Sequence, residues 1–117
     1  MVKYFLIKSI RKDKKYSKTD KDVYTYNIQP VRVAAQFLAE QVPKFMEDHK
    51  KSIFKSPLRL EILGYSGVEK TCIKLTGDKK HIFGFIQELA VHEDFNAHWY
   101  WREIDKYEAA YELKWEL

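Results

Sequence analysis

Residues 98–102, His98-Trp99-Tyr100-Trp101-Arg102, set three aromatic rings, an imidazole and a guanidinium next to one another. In an extended segment successive side chains alternate, so Trp99 and Trp101 share one face while His98, Tyr100 and Arg102 share the other. Large rings pack cores in most domains, and packing is the commoner use of one such face. The other face is a platform on which unpaired bases stack, the chemistry that single-strand binders combine with a cationic groove. The cations are supplied by Arg11, Lys12, Lys14, Lys15, Lys18 and Lys21, whose contact with phosphates would release counterions. A solvated hairpin tip has the same composition and is the ordinary meaning of such a run. An RNA-recognition signature does not accompany these residues, because residues 69–75 lack its glycine and aromatic positions.

Acidic side chains mark the other end of the chain. Glu108, Glu112 and Glu116 recur on one face of residues 107–117, a candidate edge for a basic partner or for pairing with a second copy. Cys72 lies between Lys70 and Lys74, and neighbouring positive charge lowers a thiol pKa. No histidine or carboxylate can be placed beside it, so it reads as a small strand residue rather than a nucleophile. In His92-Glu93-Asp94-Phe95-Asn96 the position four residues after the first histidine is Asn96, which breaks the zinc-protease pattern. The glycines form neither a phosphate-binding loop nor a dinucleotide fingerprint. No metal, cofactor or catalytic residue is expected, and a histidine- or cysteine-dependent nuclease or hydrolase is the distant enzymatic alternative.

The frame that positions these groups is modest in size. The chain has 117 residues, 45% of them hydrophobic and 15% aromatic, with four Gly and three Pro, which excludes disordered and collagen-like classes and suits one domain over residues 1–117. A lone cysteine points to a reducing compartment. No apolar run approaches the ~18 residues of a membrane span, so a cytoplasmic protein without membrane attachment is expected. Charge is polarised along the chain. Residues 1–22 hold eight bases against three acids, a net of +5, and residues 88–117 hold three bases against eight acids, a net of −5. Such asymmetry bears on partners rather than on fold.

Hydrophobic periodicity supplies the elements. Residues 2–11 alternate with apolar side chains on both faces, as a central strand does. Residues 12–22 form an exposed Lys-rich hairpin loop and residues 23–28 a returning strand. Pro30 opens a helix carrying Ala34, Phe37, Leu38, Val42 and Phe45 at helical spacing, with a kink or break expected at Pro43. Residues 58–63 and 68–76 make a hairpin around residues 64–67. Asp78 caps a second helix, in which Gly84 signals a close approach. Residues 97–104 and 107–117 alternate as a final hairpin, although Tyr107, Tyr111 and Trp115 also fall at i+4. The expected architecture is an α+β, ferredoxin-like antiparallel sheet in ββαββαββ order, with two helices on one face and the other face open. The function expected on that frame is a small non-catalytic binding protein. It would bind nucleic acid through the basic loop and the sheet aromatics. The alternative is a protein-interaction or inhibitor module, homodimeric through its open face or its acidic terminal strand.

Overall fold

A computed structural model describes residues 1–10, 30–48 and 57–113. Its elements are β1 (Val2–Ser9), α1 (Val31–Asp48), β2 (Arg59–Ser66), β3 (Lys70–Thr76), α2 (Lys79–Ala90), α3 (Glu93–His98), β4 (Trp99–Ile104) and α4 (Lys106–Leu113). The four strands form one antiparallel sheet in the order β2-β3-β1-β4. This is a small α+β fold, but the ββαββαββ order is not matched. The strand expected at residues 23–28 and the loop at 12–22 lie outside the described residues, and residues 106–113 after β4 are helical.

β1 is central because both of its faces are apolar, as its sequence requires. Phe5 and Ile7 join Ile73 and Leu75 of β3 beneath α1 and α2, whose Val31, Ala34, Leu38, Phe45, Ile82, Phe85 and Leu89 close the main core. Each large aliphatic or aromatic side chain buried there contributes roughly 1.5–3 kcal/mol. α1 runs through Pro43 as one helix of 18 residues, so the expected break is absent. Its apolar stripe on both sides of the proline buries Leu38 and Phe45, and that packing outweighs the one lost backbone bond. Gly84 behaves as expected: a Cβ there would lie 3.1 Å from Phe45 Cζ, so α1 and α2 meet at the bare backbone. The β2–β3 turn falls at Gly67, where φ is +65°, later than the sequence suggested, because β2 continues through a bulge between Ile62 and Gly64.

Two helices depart from expectation. α3 is a single short turn-and-a-half before β4; the His92 Nδ1 accepts the Phe95 N–H at 3.1 Å and so caps it. Asn96 on α3 donates to the carbonyls of Leu89 and His92 at 2.7 and 2.8 Å, and its Oδ1 accepts the Trp101 Nε1–H at 3.1 Å. One side chain thereby ties the end of α2 to β4. α4 replaces the expected terminal strand. Asp105 Oδ1 accepts the Glu108 N–H at 2.7 Å and starts the helix, which turns back across the second face of the sheet. A strand at this point would have left Leu6 and Cys72 facing water. The helix instead lays Ala109 and Leu113 over Leu6, Cys72, Ile104 and Leu63 in a second, smaller core. That face is therefore partly covered, not open.

Candidate functional site

The cross-strand register fixes which side chains share the second face. Tyr100 is directly opposite Lys8, and Lys8 is opposite Lys70, so the three form a row across β4, β1 and β3. One step along the strands, Arg102, Leu6 and Cys72 form the next row, and α4 lies over it. Tyr100 is 52% exposed, the largest exposed ring on the strands. The candidate aromatics thus divide. Tyr100 presents its ring to solvent, whereas Trp99 is buried against Phe95, with ring centroids 5.2 Å apart. Trp101 packs edge-on to Phe5 at 5.3 Å on the helix-covered face. Trp99 is a core group and Trp101 is partly buried against that core, so neither shares a surface with Tyr100 and both are withdrawn from the nucleic-acid-binding set. His98, expected beside Tyr100 on the strand, ends α3 instead.

Arg102 stays on the same face as Tyr100, but its guanidinium is engaged by the Glu108 carboxylate of α4, a bond that also raises its pKa. Lys70 Nζ lies 3.5 Å from Glu112. Glu108 and Glu112 therefore sit four residues apart on a helix and face their own sheet. They do not line the outer edge of a terminal strand, and the reading of these acids as a partner-binding strand edge is corrected. Glu116 lies outside the described residues. All four of these paired side chains keep partial exposure, between 19% and 41%, so solvent and salt screen both ion pairs. The apolar seam of α4 is also thin: Ala109 is fully buried and Leu113 half-buried, roughly 2 kcal/mol at ~0.8 kcal/mol per buried carbon. Gly64 makes the seat, since a Cβ there would come within 3.3 Å of a Leu113 methyl.

Arg11, Lys12, Lys14, Lys15, Lys18 and Lys21 lie outside the described residues, but the points where the chain leaves and re-enters the sheet are defined. The Ile10 N–H donates to the His98 carbonyl at 2.9 Å, and the Val31 N–H donates to the Val68 carbonyl at 2.9 Å. Both anchors are at the end of the sheet that carries Lys8, Lys70 and Tyr100. Arg32 is at that end too, with its guanidinium 4.6 Å from the centre of the Tyr65 ring. Lys79 and Lys80 begin α2 beyond Thr76, which pairs with Val2 at the opposite end, so they do not extend this surface.

Three groups with catalytic potential have structural surroundings. Cys72 is fully buried beneath α4, and burial, reinforced by Glu112 and Glu108, pushes its thiol up to about 11. It stays protonated at neutral pH, the opposite of an activated nucleophile. His92 serves as a helix cap, and His81 is buried against Phe45, with Nδ1 3.8 Å from an Asp78 carboxylate oxygen. Among the described residues no three His, Cys, Asp or Glu side chains gather in a metal-binding cluster, and no helix is long and apolar enough to cross a membrane.

No protein-family model matches the chain, and no curated protein matches it. Among solved structures, an amidase of the hydantoinase/carbamoylase family from Burkholderia multivorans is similar over 89% of this chain and 27% of its own, with a TM-score of 0.45 and 10% sequence identity. This chain thus spans little more than a quarter of that protein's length.

Proposed function

We propose that this chain is a small intracellular nucleic-acid-binding protein that holds single strands on the second face of its sheet, without catalysing a reaction on them. The row Tyr100-Lys8-Lys70 carries the reading: an exposed ring for a base lies beside the Lys8 ammonium for a phosphate, with Lys70, paired to Glu112, beyond it. The row sits at the end of the sheet where the chain passes into the stretch bearing Arg11, Lys12, Lys14, Lys15, Lys18 and Lys21. The buried Cys72 and the capping His92 favour binding over hydrolysis. The test is fluorescence anisotropy of labelled single-stranded and duplex oligonucleotides at low and physiological salt. Single strands should bind with a salt slope of roughly 0.7 per phosphate contacted. Tyr100→Ala should weaken binding by about five- to 150-fold, the weight of ~1–3 kcal/mol of base stacking. Absence of binding at low salt, or an unchanged affinity for Tyr100→Ala, would overturn the reading.

A second reading has its own observation. Tyr107 and Tyr111 lie one helical turn apart on α4 and are 73% and 61% exposed, an aromatic pair of the kind that anchors protein partners. A protein-interaction or inhibitor module would use that outer face of α4, and Tyr107→Ser with Tyr111→Ser would then abolish partner capture while leaving oligonucleotide affinity intact.

A further inference from the structure

The second face holds cations that are already paired within the chain. Arg102 of β4 ends the row that holds Leu6 and Cys72, Lys70 of β3 stands in the adjacent row, and each is met by a carboxylate of α4. Glu108 and Glu112 are four residues apart, so one helix face delivers both charges to the sheet at once. Among the described residues little else fastens this helix. Its seam consists of Ala109 and Leu113, its two tyrosines point outward, and a single residue, Asp105, joins it to β4. The ion pairs are part-exposed and exchangeable with other anions.

We infer that Arg102 and Lys70 are phosphate-binding residues held in reserve, and that α4 acts as an internal acidic competitor displaced when a single strand occupies the sheet. The inference rests on the nucleic-acid reading above and deepens it. Displacement exchanges two carboxylate contacts for two phosphate contacts, so in the native chain these cations add almost nothing to counterion release. It also uncovers Cys72, the chain's one cysteine, which is fully buried where Ala109 and Leu113 of α4 pack.

The experiment compares the native chain with a Glu108→Gln, Glu112→Gln double variant and with a Glu88→Gln, Glu93→Gln control, whose charge change is equal but lies on α2 and α3. Affinity for a single-stranded oligonucleotide is read by anisotropy over a salt series, and Cys72 accessibility by its labelling rate with a chromogenic disulfide. The α4 variant should bind on the order of tenfold more tightly, with a salt slope steeper by about 1.4, two single-strand contacts at roughly 0.7 each. It should also label faster without ligand, and oligonucleotide should accelerate labelling of the native chain. Binding by the native chain with no gain in the α4 variant, an equal gain in the control, or protection of Cys72 by oligonucleotide overturns the displaceable helix and leaves the binding surface intact. Failure of all three proteins to bind overturns both readings. Binding by the α4 variant alone supports the competitor directly.

Discussion

Raising the pH through the alkaline range should loosen this protein through one thiol. Cys72 is fully buried between Leu6 and α4, and its pKa stands near 11 rather than its ordinary 9, first because burial removes water from the thiolate and then because Glu112 and Glu108 lie nearby. With the folded pKa above the unfolded one, the native state retains the proton longer, so the stabilisation is complete below pH 9 and is lost between pH 9 and pH 11. Two pH units correspond to ~2.7 kcal/mol. The part due to the half-exposed carboxylates is screened, which leaves about 2 kcal/mol. Urea unfolding of the native chain and of Cys72→Ala at several pH values isolates this contribution, since the two proteins differ only at that thiol. The variant is expected to start lower, having lost a buried sulfur, and to converge on the native chain as the pH passes 11. Parallel decline of the two curves across that window would refute the buried thiol and, with it, the docking of α4.

Further outcomes follow from single contacts. Asn96→Ala removes the clamp between α2 and β4 and should cost about 1–3 kcal/mol in urea unfolding. Asn96→Asp should cost at least as much, because its carboxylate would face the carbonyls of Leu89 and His92 without donating to either. Gly84→Val should destabilise by about 2 kcal/mol, with altered near-ultraviolet dichroism as Phe45 is pushed from its edge-on contact with Phe85. His92→Ala should lose about 1 kcal/mol from the start of α3, and His92→Asp should recover most of it by capping in the same way, both read from thermal melts.

Periodicity made much of this fold legible. The two apolar faces of β1 placed it centrally, the alternation of residues 68–76 placed Ile73 and Leu75 under the helices, and Asp78 marked the start of α2. The division of Trp99 from Tyr100 follows from the same alternation, with the solvent side decided by which face α1, α2 and α3 cover. The terminal segment is ambiguous in sequence because Tyr107, Ala109, Tyr111 and Leu113 satisfy a period of two and, taken in pairs, a spacing of four. Asp105 followed by Glu108 was the signal that separates the two cases, an N-cap three residues ahead of an acid in the first turn. α3 carries no ordinary start signal because its cap is a histidine, a residue with no general standing as a helix start. The pairing of Arg102 with Glu108 and of Lys70 with Glu112 was beyond local sequence, since it depends on α4 folding back over an apolar row assembled from three strands.

Backbone amide shifts of the isotope-labelled chain, followed while a short single-stranded oligonucleotide is added, map the contacted face directly. The account predicts the largest changes at Lys8, Lys70 and Tyr100, followed by α4 as it leaves its seat. Changes confined to the outer surfaces of α1 and α2, or spectra that do not respond at low salt, would contradict it.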